Sequence, residues 1–215
     1  MIWILVIAVM FLSMFVQARL KSRFAKYSEV PTSLTGAEVA QRMLQAHGIH
    51  DVNIVSVEGT LTDHYNPQTK TLNLSHVVYY GRSVAAHECG HVVQHAVGYG
   101  PLKLRTALVP VLTFTNSWIS WVLLAGLFLY QVFPSLLWIG IGLFALTTLF
   151  SFITLPVEMN ASARAVQWLD NAGVVSYETK PMAQDALKWA AYTYVIAAIG
   201  SLATLLYYIS IARRR

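Results

Sequence analysis

Val84-Ala85-Ala86-His87-Glu88-Cys89-Gly90-His91-Val92-Val93-Gln94-His95-Ala96 reads as one helix, and the rest of the chain is arranged around it. It is expected to begin near Arg82 or Ser83 and to end by Gly98 or Gly100. His87 and His91 are four apart, so they stack on one helical face, about 6 Å from each other along the axis. At that spacing two imidazole nitrogens reach a single ion, and Zn²⁺ is the usual occupant. Glu88, beside the first histidine, is placed to take a proton from a water that the ion activates. A chance His-Glu-His on a polar face is the bland alternative. Cys89 falls between the two histidines and reads as a small buried filler.

Working outward, the chain of 215 residues is 56% hydrophobic and 12% charged. Soluble domains carry about twice that charge. The apolar residues are clustered, so the composition describes a membrane protein. The net charge of +5 is no nucleic-acid signature, because the basic residues flank apolar runs and orient the chain against a bilayer. One cysteine excludes an intrachain disulfide.

Four apolar spans are expected, at residues 2–18, 108–130, 135–155 and 189–212. The first lacks a preceding Lys or Arg and is followed by Arg19, Lys21, Arg23 and Lys26, the reverse of a signal peptide. The second and third are joined by Gln131-Val132-Phe133-Pro134, too short for anything but a turn. They therefore form a hairpin with both ends on one membrane face. The expected organisation is an N-terminal anchor at 1–26, a metal-helix domain at 27–107 and a membrane hairpin at 108–155. A helix at 156–188 and a C-terminal span at 189–215 complete it. Nine Lys and Arg lie between residues 19 and 107 and three between 156 and 188, twelve of the fifteen in all. This places the water-facing segments in the cytoplasm of a multi-pass membrane protein. A fourth crossing would put Arg213-Arg214-Arg215 outside, against that rule.

Within 27–107, Thr35-Gly36-Ala37-Glu38 is a capping box opening an amphipathic helix from Ala37 to Ala46, closed by Gly48. Val52, Ile54, Val55 and Val57 suggest a strand. Asn66-Pro67-Gln68-Thr69-Lys70 suggests a turn. Thr71-Leu72-Asn73-Leu74-Ser75 alternates as a second strand. The strand around Leu72–Ser75 is the expected sheet edge against which an extended substrate could pair. A helix is also expected over 157–172, ending at Gly173. The fold class is mainly α integral membrane protein with a small α+β zincin-like domain.

Two histidines and a water leave a catalytic zinc short of one protein ligand. A straight helix carries His95 another 6 Å or so beyond His91, out of reach, and Val92-Val93-Gln94 offers no turn to bring it back. His47 and His50 end a separate helix, and His76 is unassigned. Glu158 is a candidate, since two His and one Glu make a standard catalytic set. It could equally be a carboxylate favoured by a helix N-terminus.

His87-Glu88-Cys89-Gly90-His91 followed by Leu155-Pro156-Val157-Glu158-Met159-Asn160-Ala161-Ser162 resembles the bacterial membrane zinc metallopeptidases of the YugP type. Leu61-Thr62-Asp63-His64-Tyr65-Asn66-Pro67 and Gly98-Tyr99-Gly100-Pro101-Leu102 carry the same resemblance, which runs from about Tyr27 to the last span. It implies a zinc-dependent integral-membrane peptidase with Glu158 as third ligand. A looser similarity is to the HtpX-type and CAAX-processing membrane proteases. Their Glu-x-x-Ala-Asp run corresponds here to Glu158-Met159-Asn160-Ala161-Ser162. Ser162 thus replaces the Asp that would orient a zinc-bound histidine, and a hydroxyl is the weaker anchor.

The expected chemistry is peptide hydrolysis, with His87, His91 and Glu158 holding zinc and Glu88 as general base and then acid. His64, or Tyr65, is the candidate further donor to the tetrahedral oxyanion, with Arg164 behind them. Asp63 could equally be turn chemistry and Tyr65 core. The expected partners are a peptide or membrane-protein substrate and the lipid bilayer, with an accessory membrane subunit or a second copy of the chain, and no nucleic acid. The competing function is a non-enzymatic membrane scaffold or adaptor with a structural zinc, which would need four protein ligands. A transporter is disfavoured, because the four spans contain no ionisable residue.

Overall fold

The computed structural model describes residues 2–28, 34–59, 62–80 and 85–214. Its elements in order are α1 (Ile2–Ser28), α2 (Gly36–Ala46), β1 (Asn53–Val57), β2 (His64–Asn66), β3 (Thr71–Ser75), α3 (His76–Tyr79), α4 (Ala86–Ala96), α5 (Gly100–Phe128), α6 (Pro134–Asn171) and α7 (Lys180–Arg214). The chain is mainly helical with one small sheet. Three of the helices, α5, α6 and α7, are long and apolar enough to cross a membrane. The apolar run at 2–18 lies within α1, which packs along α7. There Phe15 meets Trp189 edge to face at 6.1 Å, and Arg23 pairs with Asp185 at 3.2 Å.

Local signals act as expected in α2. Thr35 accepts from the Glu38 N–H, and the Glu38 carboxylate accepts from the Thr35 N–H, so two orphan donors are satisfied reciprocally. At the other end the Ile49 N–H reaches the Leu44 carbonyl around Gly48. The amphipathic face, Val39, Ala40, Met43 and Leu44, is buried. It packs on Leu72 and Leu74 of β3 and on Ala86, Cys89, Val92 and Val93 of α4. Ala165 and Leu169, from the last turns of α6, close this core. The extension of α6 beyond its apolar run therefore supplies one wall of this core.

The sheet order is β1-β3-β2, with β1 parallel and β2 antiparallel to β3. This corrects one expectation. The Leu72–Ser75 strand is the central strand, paired on both sides, and cannot serve as a free edge. Leu72 and Leu74 are fully buried on one face, as befits a strand covered by helices. The edge next to α4 is β2, a three-residue strand with too little apolar alternation to announce itself in the sequence. Asp63 secures its start: the carboxylate accepts from the Ser75 N–H at 2.8 Å and from the Ser75 hydroxyl. The turn at 67–70 connects β2 to β3, with Lys70 in the left-handed region at φ 50°.

The long helices do not stop where the apolar runs stop. α5 begins at Gly100, with Pro in its first turn, eight residues before the run at 108. α6 continues unbroken through Pro156 to Asn171. The expected hairpin at 108–155 and helix at 157–172 thus share one continuous rod. Pro156 lacks the N–H that would bond the Phe152 carbonyl, yet packing holds the helix together across it. The expected start of the metal helix at Arg82 or Ser83 lies outside the described residues. Its end is as read: the Tyr99 N–H bonds the Gln94 carbonyl around Gly98, whose φ of 66° suits glycine.

Candidate metal centre

Helix α4 presents two faces. Ala86, Cys89, Val92 and Val93 enter the core, while His87, Gly90, His91 and Gln94 turn toward α6. The two helices touch where Gly90 meets Ala161. A Cβ on Gly90 would stand 2.5 Å from the Ala161 carbonyl oxygen, so the glycine is what permits this approach. His87 and His91 flank the contact on α4, and Glu158 lies one turn before Ala161 on α6.

The result is a convergence of three ligand atoms. His87 Nε2 lies 3.2 Å from Glu158 Oε2, and His91 Nε2 lies 3.5 Å from the same oxygen. The rings are nearly perpendicular, with centroids 5.1 Å apart. Among the described residues, His87, His91 and Glu158 form the group of three whose donor atoms could hold a metal ion. Ligands at about 2.0–2.1 Å on a tetrahedron around zinc lie about 3.3 Å apart, close to both separations.

The hydrogen bonds behind these three side chains fit a cation between them. Arg164 Nε donates to Asn160 Oδ1 at 2.8 Å, and an arginine has only donors, so that atom is the oxygen. Gln94 Nε2 donates to the same Asn160 oxygen and to the Val157 carbonyl at 2.8 Å. Gln94 Oε1 is then left facing His91 Nδ1 at 3.0 Å, and that nitrogen must carry the proton. Neutral His91 therefore turns a lone pair from Nε2 toward a carboxylate oxygen. Two acceptors at this distance need a positive charge, a proton or a metal ion, between them. His87 Nδ1 is anchored in the same way by the Ser162 hydroxyl at 3.1 Å. Ser162 thus occupies the orienting position that its place in the motif suggests.

Glu158 is almost fully buried, at 2% exposure. Its second oxygen, Oε1, accepts from Arg105 at 3.0 Å. That pairing holds the carboxylate so that one oxygen faces the imidazoles, and it supplies the partner that a buried charge requires. Arg105 was not singled out from the sequence, although a signal existed. It stands three residues before the apolar run at 108, and Glu158 stands three residues after the run ending at 155. Equal offsets in an antiparallel hairpin bring two residues to the same depth.

Glu88 adjoins this cluster from α4. Burial pushes its carboxyl above the ordinary carboxylate range, and the nearby Glu158 and Asp63 charges add to this against the pull of His87 and His91. For His91, burial disfavours the imidazolium, but Glu158, with Glu88 and Gln94, together more than offset it, so its pKa is raised. Cys89 lies in the hydrophobic core with its thiol pKa pushed up by burial, which fits the filler role.

The other residues considered from the sequence lie elsewhere. His64 is exposed on the edge strand β2, with Nδ1 2.8 Å from the Thr62 carbonyl. Tyr65 alternates to the opposite side, packs against the core, and meets His95 Nδ1 at 3.1 Å through its hydroxyl. His95 therefore ties α4 to β2 and takes no part in the ligand group. Arg164 supports Asn160, as above. His47 and His50 are exposed, and His76 stacks on Tyr80 at 4.6 Å. Beside the Arg105–Glu158 pair, Gly100, Pro101, Leu104, Phe152, Ile153 and Pro156 line an apolar recess of about 380 Å³.

No solved structure matches the chain. A curated relative, "Putative membrane protease YugP" of Bacillus subtilis (strain 168), is 43% identical over 214 residues, covering 96% of this chain and 94% of the relative. The sequence profile of a family described as "Putative neutral zinc metallopeptidase" matches residues 2–213. With the profile spanning nearly the whole chain, this protein belongs to that zinc metallopeptidase family.

Proposed function

We propose that the protein is a membrane-embedded, zinc-dependent endopeptidase in which His87, His91 and Glu158 hold the metal and Glu88 is the general base. The observation that carries this reading is the convergence of His87 Nε2, His91 Nε2 and Glu158 Oε2, with His91 oriented through Gln94 and His87 through Ser162. Three protein ligands leave a coordination position open, as catalytic zinc sites do and structural sites do not. Zinc bound there supplies Lewis acidity to a water and to the scissile carbonyl.

The chain's own residues do the rest. Glu88 takes the proton of the attacking water and delivers it to the departing amine. Arg105 holds Glu158 to one ligating oxygen. His64 is the oxyanion donor that the sequence offers. Its Nδ1 proton is committed to the Thr62 carbonyl, so it would donate from Nε2 only as an imidazolium. Arg105 and Glu158 stand just outside the apolar runs of α5 and α6, which supports chemistry at the membrane surface. The density of Lys and Arg on that side supports a cytoplasmic site. Substrates are peptides or membrane proteins presented at that surface.

The test compares purified wild-type protein with Glu158→Ala and Glu88→Gln. Wild type is expected to hold about one zinc per chain and Glu158→Ala almost none. Glu88→Gln is expected to keep its zinc and lose roughly 100-fold or more of its peptidase rate. Cleavage retained by Glu88→Gln would overturn the assignment.

A further inference from the structure

We propose that Tyr194, on the membrane helix α7, is a catalytic residue that donates its phenolic O–H to the oxyanion of the tetrahedral intermediate. The proposal rests on the peptidase reading above and adds a residue to it. Tyr194 lies inside the apolar run 189–212, where the sequence shows it as one aromatic among several. The structure puts it elsewhere in chemical terms. The charged groups that bear on its hydroxyl are Glu158, Arg105 and Glu88.

Backbone register supports the same placement. The Thr148 hydroxyl of α6 reaches the Ser201 carbonyl of α7 at 3.5 Å. The two helices are antiparallel neighbours, so moving seven residues along each brings Tyr194 level with Leu155, within one turn of Glu158. Seven residues are two helical turns, which keeps Tyr194 on the side of α7 that faces α6. A phenol in such a place calls for a polar partner, and the polar groups that the register brings to its level are those around Glu158.

The chemistry then follows from what is already occupied. Arg105 holds Glu158 Oε1, and Glu158 Oε2 faces the two imidazoles. The Tyr194 O–H is a neutral donor, so it brings no charge that would compete with the metal for the carboxylate. As the water's oxygen bonds to the peptide carbon, the carbonyl π pair moves onto its oxygen. The hydrogen bond that the Tyr194 O–H donates to that oxygen shortens as the negative charge grows, and the proton stays on the phenol. A donor of this kind is matched to the transition state and adds little to substrate binding.

The experiment uses full-length protein in detergent, with labelled casein as substrate and a phosphinic peptide as tetrahedral mimic. Tyr194→Phe removes only the hydroxyl. Its kcat is expected to fall roughly 100- to 1,000-fold with KM little changed. Its affinity for the phosphinic peptide should fall by a similar factor, while zinc affinity, measured by competition with a chromophoric chelator, stays at the wild-type value. Equal phosphinic-peptide affinity in wild type and Tyr194→Phe would overturn the proposal even if casein is not cleaved. So would zinc affinity that falls in step with kcat, which would make Tyr194 a positioning residue, or a loss produced by His64→Gln and not by Tyr194→Phe. If Glu88→Gln cleaves casein as well as wild type, the peptidase reading fails instead, and the two failures are distinct.

Discussion

At its membrane end, α6 meets α5 where Gly126 faces Leu137. Near its other end, it meets α4 where Gly90 faces Ala161. Both contacts are too close for a side chain. A Cβ on Gly126 would stand 2.6 Å from the Leu137 Cα, and one on Gly90 stands 2.5 Å from the Ala161 oxygen. Around the first, the neighbours are Ile119, Leu123 and Ile141, which pack as one apolar cluster with Ala212 of α7. Around the second, the neighbours are His87, His91, Gln94 and Glu158, joined by directional bonds. Apolar contacts tolerate small slides because dispersion is non-directional. A bond from Gln94 to the Val157 carbonyl at 2.8 Å does not. One rod thus has an end that is only packed and an end that is positioned.

The sharpest way to break this comparison is to add one methyl group at each contact. Gly90→Ala and Gly126→Ala should each destabilise the protein by about 1–3 kcal/mol through overpacking. Only Gly90→Ala should also abolish stoichiometric zinc binding, because it parts the imidazoles from Glu158. Thermal unfolding with and without a chelator would show it: the chelator should lower the Tm of wild type and Gly126→Ala and leave that of Gly90→Ala unchanged. Loss of zinc by both variants would mean that the two ends are mechanically one.

A smaller effect should follow from loosening the bonds behind the ligands. Ser162→Ala and Gln94→Leu remove the partners of His87 Nδ1 and His91 Nδ1. Each should weaken zinc affinity roughly 10- to 100-fold. Gln94→Leu should have the greater effect, because it also severs the link to Val157 and Asn160. A chelator competition titration reads both.

The smallest effect concerns Glu88 in metal-free protein. Its folded-state pKa is raised by burial, so folding favours its protonated form. The stability it contributes is full below the unfolded pKa and is lost as pH rises through the higher folded value. Glu88→Gln carries no such charge. The variant should therefore unfold at a higher temperature than wild type at neutral pH, with the gap closing toward acid pH. A gap that is constant with pH would mean that Glu88 is solvated and that its proton affinity is ordinary.

Much of this was legible before any coordinates. The His87–His91 pair, the capping box at Thr35, the strand at Thr71–Ser75 and the apolar hairpin all rest on short-range spacing, which sequence displays directly. β2 was missed because three residues are too few for a pattern to show. The central position of β3 was missed because strand order depends on partners distant in the chain. Arg105 and Tyr194 escape for another reason: a basic residue just before an apolar run and an aromatic within one are each sufficiently explained by the membrane.

By itself, then, the sequence determined the spacing of His87 and His91 on one helical face and the hairpin that returns Glu158 to their side. These follow from the period of the helix and from the length of the apolar runs. Only the tertiary structure decided which atoms face one another. The depth to which α4 sinks against α6 at Gly90, the carboxylate oxygen left to Arg105 and the side of α7 that turns toward Glu158 depend on contacts between segments far apart in the chain, and local spacing carries no record of them.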